Sequence, residues 1–186
     1  MKRLFLAIKI TPNDIFSKLY RDLRQELIYE KINWVAIDNF HLTLKFFGET
    51  DDSIIEKINL FIEDVISGKN QFSFEISDLG IFGSNYQPKV IWLGIKNNTA
   101  LINLADTILN QLKSIGFERD RQNFVPHLTL GRINYLKDKD NFNKIIKKFN
   151  IADIQTVEVK EIILFESILQ REGPIYKVIN SYKLTD

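Results

Sequence analysis

Cysteine is absent from this chain of 186 residues, and histidine occurs only twice. The lack of cysteine excludes a disulfide scaffold, a thiolate nucleophile, a zinc site with cysteine ligands and an iron–sulfur cluster. Two histidines are too few for a metal cage built from imidazoles, although a mixed site of histidine and carboxylate ligands stays formally open. The remaining functions are those that oxygen groups, nitrogen groups and at most two imidazoles can perform.

An excess of either charge is also missing. The chain has 25 Lys and Arg residues against 24 Asp and Glu residues, which gives a formal net charge of +1. This balance argues against a protein that coats long stretches of nucleic acid, but it permits binding of one phosphate group or one RNA end. The apolar run at residues 4–8 ends at Lys9 and is too short for a signal-peptide core or a membrane span. We therefore expect a cytoplasmic protein without membrane contact.

Apolar residues make up 45% of the chain, enough to build a core at this length. Their spacing predicts helices that begin near residues 12, 52 and 99, and a short helix within 137–149. The predicted strands are 3–10, 40–47, 72–82, 89–95, 126–133, 155–166 and 175–184. Helices and strands alternate early and hairpin-like pairs follow. This order favours an α+β fold with largely antiparallel sheets in one domain, residues 1–186.

The first helix shows how its ends are predicted. Thr11 is a suitable N-cap, because its hydroxyl can accept a hydrogen bond from the first turn, and Pro12 suits the first helical position. Helical spacing then predicts a core face, with Phe16 and Tyr20 beside it. The predicted core face consists of Ile15, Leu19, Leu23 and Leu27.

Both histidines belong to an internal repeat. The run His41-Leu42-Thr43-Leu44 recurs as His127-Leu128-Thr129-Leu130, and each copy lies on a predicted strand that follows a helix. Side chains at positions i and i+2 share one face of a strand, so each His-Thr pair faces away from its two leucines. We predict two pseudo-symmetric lobes with helices on their outer faces. Both His-Thr pairs would then line the active-site cleft between the lobes.

Two histidines and two threonines on such a cleft suit phosphoryl transfer. An imidazole with a pKa of about 6.5 can be neutral or protonated near pH 7, so one histidine can accept a proton while the other donates one. The hydroxyls of Thr43 and Thr129 can donate hydrogen bonds to phosphoryl oxygens. This chemistry requires no metal and no cofactor. The symmetry of the repeat does not decide which histidine is the acid.

The two H-x-T-x motifs resemble those of the two-histidine phosphoesterase superfamily. The flanking residues extend the likeness nearly end to end and point to its RNA 2′,3′-cyclic phosphodiesterases, also described as 2′-5′ RNA ligases. These flanks include residues 3–8, 44–49, 90–94 and 166–176. The resemblance implies hydrolysis of a 2′,3′-cyclic phosphate RNA end to a 2′-phosphate, with possible 2′-5′ joining. It also implies that His41 is the proton donor and His127 the proton acceptor.

Three further side chains are candidates for substrate binding. The resemblance implies a phosphate or RNA contact for Arg132, but strict alternation places it opposite His127 unless the strand bulges near Gly131. Lys45 shares the face of His41 by the same alternation, and its alternative is a solvated lysine at the end of a strand. Phe124 is a candidate for base stacking, and its alternative, like that of Trp34, is core packing.

Other functions stay open at this point. The chain can be a related phosphodiesterase for 2′-5′ oligonucleotides or small cyclic nucleotides, or a non-catalytic module that binds RNA ends. A two-histidine metallohydrolase is disfavoured, because neither motif carries a carboxylate at position i+2 or i+4. The expected partner is RNA with a 2′,3′-cyclic phosphate end or a small cyclic nucleotide, and we expect a monomer.

Overall fold

The structure is a computed structural model that describes residues 1–118, 124–171 and 173–186. These residues form nine strands and four α-helices, with short 3-10 helices at Ile37–Asn39 and Leu112–Ile115. The strands are β1 (Lys2–Lys9), β2 (Lys31–Trp34), β3 (His41–Thr50), β4 (Phe72–Ser84), β5 (Gln87–Lys96), β6 (His127–Tyr135), β7 (Gln155–Val159), β8 (Glu161–Ile168) and β9 (Ile175–Lys183). The helices are α1 (Asp14–Glu26), α2 (Asp52–Ile66), α3 (Thr99–Gln111) and α4 (Lys139–Lys148).

The strands form two antiparallel sheets. The four-stranded sheet has the order β3-β1-β8-β9, and the five-stranded sheet has the order β2-β6-β5-β4-β7. Every pair of neighbouring strands within them is antiparallel. The prediction of an α+β fold with largely antiparallel sheets is confirmed.

Each sheet contains strands from both halves of the chain. The first half runs β1-α1-β2-β3-α2, and the strand that follows it, β4, pairs with β5 in the other sheet. The second half runs β5-α3-β6-α4, and β8 then returns to pair with β1. The trios β3-β1-β8 and β6-β5-β4 are therefore equivalent. This exchange of strands ties the two predicted lobes together by backbone hydrogen bonds.

Helix α1 differs from its prediction at its cap and at one residue of its core face, whereas Leu19, Leu23 and Leu27 are buried as predicted. The N-cap is Asn13, not Thr11, and the Asn13 side chain accepts a hydrogen bond from the Phe16 amide. The predicted core residue Ile15 is 54% exposed, whereas Phe16 and Tyr20 are buried. Their rings pack on Phe40 at centroid distances of 5.1 and 5.0 Å. Burying two large aromatic rings removes more apolar surface from water than burying one isoleucine, and this sets the rotation of the helix.

Two strand predictions are also corrected. Strand β2, which pairs with β6 at the edge of the five-stranded sheet, was not predicted, because four residues are too few for a clear alternation. The predicted strand 155–166 is two strands that separate at Lys160 and enter different sheets. Val159 and Ile162 are both buried, so the apolar pattern runs through the junction without marking it.

Candidate active site

The two repeated motifs begin two equivalent strands. His41 is the first residue of β3 and His127 is the first residue of β6. The leucines of both motifs lie in the main hydrophobic core, as predicted, with exposures between 0% and 4%. Thr43 is exposed and Thr129 is partly exposed on the opposite face of each strand. We call the side of each sheet that carries this histidine and threonine its histidine face.

A β-bulge interrupts both motifs at the same position. In the four-stranded sheet, Thr43 pairs with Ala7 and Lys45 pairs with Leu6, so Leu44 has no partner on β1. A bulge inserts one residue into a strand and reverses which side chains share a face beyond it.

The matching interruption in the five-stranded sheet falls at Leu130. Thr129 pairs with Trp92 and Gly131 pairs with Ile91, so Leu130 has no partner on β5. In both strands, the extra residue is the second leucine of the motif. The two copies of the motif therefore share a β-bulge as well as their sequence.

The bulge places Arg132 on the histidine face. Arg132 pairs with Val90, and Val90 lies two residues from Trp92, the partner of Thr129. Directly paired residues and residues at i+2 share a face, so Arg132 and Thr129 project to the same side. The Arg132 side chain is exposed there. The bulge near Gly131 that Arg132 needs in order to share a face with His127 is therefore present.

The equivalent bulge removes Lys45 from the histidine face, so its predicted placement beside His41 is wrong. Its partner Leu6 lies in the main core, and Lys45 is only 5% exposed. Its Nζ donates a hydrogen bond to the carbonyl oxygen of Glu118 at 3.4 Å. Strict alternation fails here because it counts Leu44 as a paired residue.

A backbone carbonyl fixes the tautomer of each histidine. Nδ1 of His41 lies 2.7 Å from the carbonyl oxygen of Asn39, and Nδ1 of His127 lies 2.8 Å from that of Val125. A carbonyl oxygen only accepts hydrogen bonds, so each Nδ1 carries the hydrogen and donates it. Nε2 is then the nitrogen through which either ring can accept or donate a proton.

Aromatic rings pack against both imidazoles. Phe5 and Tyr176 lie 4.9 and 5.1 Å from the His41 ring, and Phe82 lies 4.7 Å from the His127 ring, measured between centroids. Neither Phe5, which lies in the flank at residues 3–8, nor Phe82 was a predicted site residue. Strand alternation does not show which of these rings leans across neighbouring strands.

Electrostatics connect the two motifs. Burial is the main reason that the pKa of His41 lies below its ordinary value, and the positive charge of Arg132 lowers it further, while the hydrogen bond to Asn39 acts in the opposite direction. Arg132 belongs to the other sheet, and β3 approaches β6 in the fold. The same guanidinium, together with Arg3, acts on Tyr176, whose pKa is nevertheless raised by burial. The charge of Arg132 therefore acts on two members of the ring cluster around His41.

The remaining aromatic candidates contact the protein core. Phe124 and Trp34 are partly buried and pack against the main core, and the Trp34 ring meets Tyr20 edge-on at 5.7 Å. The packing alternative accounts for these contacts, and a base-stacking role for Phe124 stays a prediction.

The described residues contain neither a cluster of metal ligands nor a membrane-spanning helix. No group of three or more histidine or acidic side chains within them is arranged to hold a metal ion. No helix among them combines the length and apolar character needed to cross a membrane.

Sequence comparisons find relatives along nearly the whole chain. The model of the 2′-5′ RNA ligase superfamily matches residues 12–168. A protein of Thermotoga maritima named RNA 2′,3′-cyclic phosphodiesterase is 34% identical over 179 residues, which cover 95% of this chain and 92% of that protein. A protein of Aquifex aeolicus with the same name is 36% identical over 177 residues, covering 92% and 90%.

A solved structure with the same fold supports this result. LigT of E. coli in its apo form superposes with a TM-score of 0.74 at 25% identity, covering all of this chain and 98% of LigT. Because the family model spans most of the chain and relatives above 30% identity cover it nearly end to end, the chain belongs to the 2′-5′ RNA ligase superfamily.

Proposed function

We propose that this chain hydrolyses the 2′,3′-cyclic phosphate end of RNA to a 2′-phosphate by acid–base catalysis with its two histidines. The observation that carries the proposal is the equivalence of His41 and His127. Each begins a bulged strand of one sheet, and each has Nδ1 bound to the carbonyl two residues earlier. The names of the relatives, RNA 2′,3′-cyclic phosphodiesterase, support the reaction class.

In the proposed reaction, water attacks phosphorus in line with the leaving oxygen. Nε2 of one histidine takes a proton from the water as the new P–O bond forms. Nε2 of the other gives a proton to O3′ as the P–O3′ bond breaks, which leaves the phosphate on O2′. The family resemblance assigns the donor role to His41 and the acceptor role to His127.

The other groups of the site stabilise the charge on phosphorus. Thr43 and Thr129 donate hydrogen bonds to the non-bridging oxygens, whose negative charge grows in the transition state. Arg132 offers a planar guanidinium, which can contact two phosphate oxygens at once.

The lowered pKa of His41 fits a donor role once substrate is bound. In the free protein, the pKa lies below 6.5, so the ring is mainly neutral at pH 7. A bound phosphate anion favours the charged imidazolium and raises this pKa again. Substrate binding would therefore load His41 with the proton that it gives to O3′.

Direct turnover of a small substrate tests this function. The purified protein should open cytidine 2′,3′-cyclic phosphate in the presence of EDTA, and phosphorus NMR should identify the 2′-phosphate as the product. His41→Ala and His127→Ala should each abolish turnover while their circular dichroism spectra stay unchanged. Full activity in both variants, or a 3′-phosphate product, would contradict the proposal.

We further propose that residues 1–186 act as one two-lobed unit and as a monomer in the cytoplasm. The exchange of β4 and β8 between the halves supports a single unit, because neither half completes its own sheet. Sedimentation of the purified protein tests the oligomeric state.

A further inference from the structure

A cavity of about 260 Å³ lies beside His127, on the side of the five-stranded sheet. Its lining includes His127, Phe82 and Trp92, and Asp78 and Lys96 lie at the end away from Phe82, whose partner on β5 is Val90. None of these four neighbours of His127 has a role in the mechanism above. Apolar walls with a few polar groups at one end are typical of a site for a small planar ligand.

The aromatic wall is held in place by a glycine. A Cβ at Gly80 would lie 2.4 Å from Cζ2 of Trp92, so the indole lies directly on the backbone of β4. Phe82 packs on Trp92 at 5.2 Å and on His127 at 4.7 Å. The wall is thus a fixed aromatic surface that joins the cavity to the catalytic ring.

The polar end offers both a donor and an acceptor. Lys96 Nζ lies 2.9 Å from Oδ2 of Asp78, and both side chains are about half exposed, at 49% and 44%. A nucleobase has flat faces for stacking and an edge with donors and acceptors, so it matches both parts of the cavity.

The position of the cavity indicates which nucleoside it takes. In an in-line displacement, the attacking oxygen enters opposite the leaving O3′. If His127 is the proton acceptor, the attacking group enters on its side, and the ribose that carries the cyclic phosphate lies toward His41. A nucleoside in the cavity would then be attached to the attacking oxygen.

We propose that this cavity binds the nucleobase of a second nucleoside whose 5′-hydroxyl takes the place of water. The inference rests on the proposed function and on its assignment of His127. The O5′ proton passes to Nε2 of His127 as the P–O5′ bond forms, and O3′ leaves with a proton from His41, which yields a 2′-5′ linkage. In reverse, the 3′-hydroxyl gives its proton to Nε2 of His41 as it attacks phosphorus, O5′ leaves with the proton from His127, and the cyclic phosphate is regenerated.

The test uses the reverse reaction, which supplies the nucleoside already attached. One substrate is a 2′-5′-linked dinucleotide, and the second is the same compound without the base on its leaving ribose. The wild-type protein should cleave the complete dinucleotide with a kcat/KM about tenfold higher, in line with the usual contribution of one stacked base. Hydrolysis of cytidine 2′,3′-cyclic phosphate is measured in parallel and tests the proposed function separately.

Lys96→Met then tests the polar end, because methionine keeps the aliphatic stem and removes the donor. Its control is Lys89→Met, which alters an exposed lysine of the same strand outside the cavity. Lys96→Met should lower dinucleotide cleavage several-fold relative to cyclic phosphate hydrolysis, and Lys89→Met should not change this ratio. Equal losses in both reactions would mean that the cavity holds the base of the nucleotide that carries the cyclic phosphate. This result would overturn the proposal. An unchanged ratio, or no effect of the missing base, would also overturn it.

Discussion

Arg132 of β6 and His41 of β3 belong to different sheets, yet the guanidinium of Arg132 lowers the pKa of the His41 imidazole. This pair links the two halves of the repeat. It depends on the bulge at Leu130, which places Arg132 on the histidine face.

The first prediction concerns the titration of His41. The chain has two histidines, so the imidazole Cε1–H region of the NMR spectrum should show two resonances, which His127→Ala assigns. His41 should titrate below 6.5, because burial and Arg132 disfavour the imidazolium. Arg132→Gln should raise this pKa, and Arg21→Gln on the exposed side of α1 should not. A downward shift or no shift in Arg132→Gln would contradict the placement of Arg132.

The second prediction concerns the contribution of Arg132 to turnover. Arg132→Gln should lower kcat/KM for a cyclic nucleotide by roughly 10- to 100-fold, the range expected for loss of a charged hydrogen bond to phosphate. Arg132→Lys should recover only part of this loss, because lysine keeps the charge but lacks the planar pair of donors. Steady-state kinetics at one pH and ionic strength checks both variants, with Arg21→Gln as control. Wild-type rates in Arg132→Gln would rule out a phosphate contact.

The third prediction separates Lys45 from the site. Lys45 is buried on the core side of β3, so its replacement should affect stability more than activity. Lys45→Ala should lower the free energy of unfolding by roughly 2 kcal/mol, because it leaves a gap where the aliphatic stem packs. Lys45→Met should cost less and should keep kcat/KM near the wild-type value. Urea titration and steady-state kinetics measure the two effects, and a large loss of activity in a stable Lys45→Met would return Lys45 to the site.

The fourth prediction concerns the close contact of Gly80 with Trp92. Gly80→Ala should destabilise the protein by about 1–3 kcal/mol, because the new methyl group must displace the indole. The cost should be smaller when Trp92 is already replaced by leucine. Urea unfolding of the two single variants and the double variant gives the coupling energy. Additive effects would show that the two residues do not interact.

The proposed catalytic residues were easier to predict than the residues that surround them. His41, Thr43, His127 and Thr129 stand out because they repeat, and repetition is visible without any tertiary contact. Phe82 and Phe5 carry no such signal. Their roles depend on packing across neighbouring strands, which strand alternation does not specify.

The errors have a common physical cause. Lys45 was misplaced because a bulge adds one residue to β3, and a shift of one residue moves every later side chain to the other face. Ile15 was misplaced in the core of α1 because Phe16 and Tyr20 fit against Phe40, a residue outside the helix. In both cases the deciding partner lies on another element.

The sequence by itself determined the α+β class, the two equivalent strands and the core position of their leucines, because alternation and helical periodicity are properties of neighbouring residues. The tertiary structure decided which later side chains share the histidine face of each strand. Bulges at equivalent positions, Leu130 and Leu44, place Arg132 on that face and Lys45 on the core side. A bulge is a property of the register between two strands, and that register is set only when the partner strand is in place.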